Sequence, residues 1–113
     1  MITIWHNPRC SKSRQTLDLL IQQGIDPVER RYLDDAPSED ELRAAQAALG
    51  LPAVAMMRTS EAAFKEMGLS KSDTEATLIA AMASQPKLIE RPIVFAGDRA
   101  AIGRPPEAVL AIL

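Results

Sequence analysis

Residues 1–33 change their hydrophobic spacing twice, and this constrains the fold more than any other stretch. Ile2-Thr3-Ile4-Trp5 is short, apolar and β-branched, the pattern of a strand, and Asn7-Pro8 breaks it. Ser11 to Gln23 then carries Leu17, Leu20 and Ile21 at helical spacing, with Gly24 as the stop. Pro27 to Leu33 reads as a second strand, less buried than the first because of Arg30 and Arg31. A strand–helix–strand unit of this kind pairs its strands parallel.

The other end of the chain imposes the opposite pairing. Ile93-Val94-Phe95-Ala96, a tight turn at Gly97-Asp98 and a returning strand over 99–102 make an antiparallel hairpin. Gly103-Arg104 leads to Pro105-Pro106, which suits the first turn of a final helix carrying Val109, Leu110 and Leu113. Between the two ends the pattern is helical. Ser38-Glu39-Asp40-Glu41 is a capping box that opens a helix through Leu42, Ala45 and Leu49, stopped by Gly50. Pro52–Met57 reads as a helical turn and Ser60–Met67 as a short helix closed by Gly68. Ser72-Asp73-Thr74-Glu75 matches a second capping box, before a helix with Leu78, Ile79 and Met82 inward that Pro86 stops. The expected fold is α/β: a mixed four-stranded sheet with flanking helices and an inserted helical region. No linker, repeat or low-complexity tract divides it, so residues 1–113 read as one domain.

Composition narrows the function classes. With 47% hydrophobic residues the 113-residue chain builds a core without disulfide or metal. A net charge of −2 argues against non-specific nucleic-acid binding, which needs a basic face. No apolar run approaches the roughly 18–20 residues that span a bilayer, and the start lacks a signal-peptide pattern. These features point to a cytoplasmic protein with neither nucleic-acid nor membrane partner.

The single cysteine, Cys10, stands where strand gives way to helix, in a polar stretch with His6, Arg9, Lys12 and Arg14. The thiolate is the reactive form, and an ordinary thiol with a pKa of about 8.5 is only slightly ionised at neutral pH. The first amides of the helix and its dipole point at Cys10, and the neighbouring cations add positive potential, so its pKa is expected to fall. The same amides suit a tetrahedral oxyanion beside the sulfur. The alternative is a small buried hydrophobe. Ser13 turns Cys-x-x-Cys into Cys-x-x-Ser, so the site cannot close its own disulfide and redox turnover needs a thiol from outside. Cys-x5-Arg phosphatase loops do not fit, because position 16 is Thr16.

Three further arginines, Arg58, Arg91 and Arg104, sit beside loop punctuation, where guanidinium forks can converge on an oxyanion or simply face solvent. Arg91-Pro92 raises the possibility of a cis bond facing the site. His6 either tunes Cys10 or shuttles a proton, or is a polar residue ending a strand. One Cys and one His are too few soft ligands for a metal site.

Taken together, "WHNPRCSKSR", "AMMR" and "ERPIVFAGDRAAIGRPPEAVLAIL", with "RYLDDAPSEDEL" and "PKLIERPIV", resemble the ArsC-type arsenate reductases of the glutaredoxin- and glutathione-coupled class, and the YfgD-like subgroup in particular. The resemblance covers nearly the whole chain. It implies a thioredoxin-like fold with an inserted helical region, Cys10 as nucleophile, and Arg58, Arg91 and Arg104 as oxyanion ligands. It implies supporting places for His6, Ser13, Arg14 and Pro92, and a role in arsenic resistance. The implied cycle has no bound cofactor: thiolate attacks arsenate, glutathione adds as co-substrate, arsenite leaves, and glutaredoxin resolves the mixed disulfide. A monomer is expected. The chain departs from the plasmid-type pattern at Arg9, where those enzymes have Ala, and at Ser11-Lys12, where they have Gly-Thr; it also lacks their longer charged tail. Two alternatives stay open: an Spx-like redox or transcription regulator, whose switch generally uses the second cysteine that Ser13 replaces, and a glutathione-dependent thiol oxidoreductase with another substrate.

Overall fold

A computed structural model describes residues 1–113. The chain forms two compact units, residues 1–35 with 91–113, and residues 36–90. In the first unit β1 (Ile2–Trp5) runs into α1 (Ser11–Gln22), β2 (Val28–Arg30) follows, and β3 (Ile93–Ala96) and β4 (Arg99–Ile102) return after residue 90. The strand order is β2-β1-β3-β4. β1 pairs parallel with β2, Thr3 opposite Val28, and antiparallel with β3, Ile4 opposite Val94. β3 and β4 form the expected hairpin across Gly97-Asp98, with Gly97 at φ 63°.

The core of this unit is small and aliphatic. Ile4, Leu20, Val94 and Val109 are fully buried, with Ile2, Leu17, Ile25 and Ile112 packed against them. Three expectations change here. The last element, Pro106–Ile112, is a 3-10 helix; Val109 and Ile112 turn inward while Leu110 and Leu113 stay exposed. On α1, Ile21 is 56% exposed, and the buried face is Ser13, Thr16 and Leu20. β2 is also shorter than Pro27–Leu33, because the amides of Asp34 and Asp35 bond back to the Arg31 carbonyl and turn the chain away.

The second unit holds α2 (Glu39–Leu49), α3 (Ala62–Glu66) and α4 (Glu75–Ser84), joined by 3-10 turns at Ala53–Met56 and Pro86–Leu88. Ser38 and Glu41 form the capping box, and Gly50 closes α2 at φ 68°. The second expected box is absent. Thr74, not Ser72, caps α4, and Glu75 instead accepts bonds from Gln46 Nε2 (2.6 Å) and the Ala53 amide (2.8 Å). One carboxylate thereby ties α2, a 3-10 turn and α4 together. No helix is long and apolar enough to cross a membrane.

Candidate active site

The loop between β1 and α1 is held by its own backbone and by α1. The Cys10 amide bonds to the Asn7 carbonyl (3.0 Å), and the Arg9 amide to Asn7 Oδ1 (3.0 Å). The Arg14 amide closes the first helical turn on the Cys10 carbonyl (3.0 Å), and Arg14 Nη1 reaches back to the Pro8 carbonyl (3.0 Å). Ser13, fully buried, joins the loop to the sheet. Its hydroxyl accepts from the Asn7 amide (3.0 Å) and lies 2.7 Å from His6 Nδ1, while the His6 amide bonds to Arg30 at the end of β2 (2.8 Å).

Cys10 occupies the N-cap of α1 with no side-chain cap and no acidic residue in the first turn. Burial pushes the thiol pKa up. The Ser13 amide, the Arg91 guanidinium, the Lys12 amide and the Arg104 guanidinium outweigh it, and the thiol lies below its ordinary value. Arg104 Nη2 stands 3.8 Å from Cys10 Sγ, and its Nε donates to the Arg91 carbonyl (3.0 Å). The Nε and Nη1 of Arg91 are buried. A thiolate with two guanidiniums and two helical amides around it can attack an electrophile and hold the oxyanion that results.

The source of the positive charge differs from the expectation. The side chains of Arg9, Lys12 and Arg14 are exposed; Lys12 contributes through its backbone, and the charge comes from Arg91 and Arg104 in the β3–β4 half. Arg91-Pro92 is cis, and so is Arg104-Pro105, which sequence alone did not suggest. Arg58 belongs to the second unit, where its Nη1 pairs with Glu61 Oε2 at 2.8 Å, both half-buried. His6 is buried, which lowers its pKa; Glu29 opposes this, and Arg31 and Arg14 lower it further. Its Nδ1 meets the Ser13 hydroxyl, and the Ser13 amide acts on the Cys10 thiol. Thr16 and Gly103 had no part in the site expected from the sequence. Thr16 is buried and donates to the Lys12 carbonyl (2.8 Å), and Gly103 lies against it; a buried hydroxyl on the inner face of a helix was the available signal.

A thioredoxin-like sheet with one activated thiol at the head of its first helix defines a class of thiol-dependent proteins. Comparison with known proteins narrows it. The ArsC family profile matches residues 5–112. The chain is 47% identical over 114 residues to an arsenate reductase of Haemophilus influenzae, covering 99% of this chain and 98% of that one. It is also 47% identical to the uncharacterized protein YfgD of Escherichia coli K12, with 99% and 96% covered. Among solved structures, an arsenate reductase from Vibrio cholerae superposes with a TM-score of 0.96 at 51% identity, over 99% of this chain and 97% of that one. The chain belongs to the ArsC family.

Proposed function

We propose that this chain is an arsenate reductase in which Cys10 is the nucleophile and Arg91 and Arg104 bind the oxyanion. The observation that carries the reading is the lowered Cys10 thiol with Arg104 Nη2 3.8 Å from its sulfur, in a chain whose relatives include arsenate reductases. The thiolate forms a sulfur–arsenic bond and one arsenate oxygen leaves as water after protonation. Glutathione thiolate then forms a sulfur–sulfur bond with Cys10. The electron pair of the sulfur–arsenic bond goes to arsenic, which departs as arsenite. Two thiols are oxidised and arsenic gains two electrons, so the step balances. Cys10 is the chain's one cysteine, so the mixed disulfide is passed to an external dithiol, for which glutaredoxin fits. Fixed donors at the sulfur stabilise the charge on the adduct without reorganising. An open cleft of about 330 Å³ lies along the strand-to-loop segment His6–Arg9, with Arg31, Leu33 and Asp34 on its other side.

The test is a coupled assay with arsenate, glutathione, glutaredoxin, glutathione reductase and NADPH. Wild type is expected to consume NADPH in step with arsenite release, and Cys10→Ser to fall to background. Turnover retained in Cys10→Ser would remove the mechanism. An inactive wild type would remove arsenate as the substrate.

A further inference from the structure

Gly103 is a glycine for reasons of space. Its φ lies outside the left-handed region, so its backbone conformation does not demand glycine. A Cβ built there would lie 2.6 Å from Thr16 Oγ1, 2.8 Å from Pro92 Cγ and 3.1 Å from Thr16 Cγ2, all well inside the roughly 3.5–4.0 Å of ordinary carbon contacts. Neither wall yields easily. Thr16 is fully buried on α1 and its hydroxyl is tied to the Lys12 carbonyl at 2.8 Å. Pro92 is a buried ring whose carbonyl accepts the Gly103 amide at 2.9 Å. The residue after Gly103 is Arg104, which bonds to the Arg91 carbonyl through Nε and reaches Cys10 through Nη2.

We infer that Gly103 is a positioning residue: its missing side chain lets the end of β4 lie directly on α1, and that approach brings the Arg104 guanidinium to the Cys10 sulfur. The inference deepens the reading of the thiol site above and rests on it. Any side chain at 103 must lift the 103–104 segment away from Thr16 and Pro92. Arg104 moves with it, and the sulfur loses a charge that favours the thiolate. Thr16 is the other half of the device, because its two terminal atoms make the first and third of the three close approaches.

The test uses Gly103→Ala, Gly103→Ala/Thr16→Ala, and wild type. Thiol pKa is read by pH-dependent alkylation of Cys10, and the KM for arsenate by the coupled assay. The thiol titration needs no arsenate turnover, so it tests the inference even if the chain reduces some other substrate. Gly103→Ala is expected to raise the thiol pKa and to raise the KM severalfold, with a smaller change in kcat. The double variant, with the space restored on the Thr16 side, is expected to recover most of both. If Gly103→Ala does not fold, Thr16→Val applies a milder push from the opposite wall and is expected to move pKa and KM in the same direction. An unchanged thiol pKa in a folded Gly103→Ala or Thr16→Val variant overturns the inference. So does a folded double variant that recovers thermal stability but neither pKa nor KM, since that marks the glycine as a packing residue only.

Discussion

Helix α2 begins on Ser38, whose hydroxyl accepts from the Glu41 amide (3.1 Å) while Glu41 returns a bond to the Ser38 amide (3.0 Å), and its first turn holds Glu39, Asp40 and Glu41. Helix α1 begins on Cys10 with no side-chain cap and no acid in its first turn. Both helices expose amides and the positive end of a dipole at that point. In α2 those features are neutralised by the chain's own carboxylates and serve stability. In α1 the amides of Lys12 and Ser13 are turned on a sulfur, and two guanidiniums are added to them. The absence of a cap at α1 is therefore what leaves that helix start available for an anion.

Exchanging features between the two starts tests this contrast. The largest effect is expected from removing the added charge. Arg104→Ala should lower kcat/KM for arsenate by about 100-fold, the scale of losing one oxyanion donor, and should raise the thiol pKa; an unchanged pKa would detach Arg104 from the sulfur. Next, Ser38→Ala should cost about 1 kcal/mol of stability in urea denaturation and leave the thiol pKa and turnover as they were. A change in turnover would mean that the capped helix start is not purely structural.

The smallest effect comes from giving α1 an acid like those of α2. Ser11 is exposed in the first turn, and Ser11→Glu should raise the thiol pKa by an interaction of about 0.3–1 kcal/mol, weakened by added salt. The consequence for stability has a definite sign. Between the lowered native pKa and the ordinary thiol value, the unfolded chain holds a proton on Cys10 that the native chain does not, so stability rises with pH across that window. The thiolate's contribution is lost as pH falls through the native pKa. Denaturation at a series of pH values should show this rise in wild type, a shallower one in Ser11→Glu and none from this group in Cys10→Ser.

Features governed by neighbours in sequence were the legible ones. The Ser38–Glu41 box, the Gly50 stop and the Gly97-Asp98 turn each depend on a few adjacent residues, and each stands where the sequence put it. The thiol site was legible only in part. Cys10 at a helix start with activating amides is a local pattern, but the side chains of the nearest cations, Arg9, Lys12 and Arg14, are exposed, and the guanidinium that reaches the sulfur is 94 residues away. Which distant arginine arrives depends on sheet order and on a close backbone approach at Gly103, and neither leaves a mark in spacing. The box expected at Ser72 failed for a related reason. Glu75 had longer-range partners in Gln46 and Ala53, and Thr74 was left to cap the helix.

Where a redox loop of the two-cysteine kind would carry a second sulfur, Ser13 carries a hydroxyl engaged with the Asn7 amide and the His6 ring. A chain built this way stores no reducing equivalents beyond one thiol. Under the proposed chemistry, protein mixed with arsenate alone halts after the first bond, and its pace in a cell follows the supply of small thiols around it.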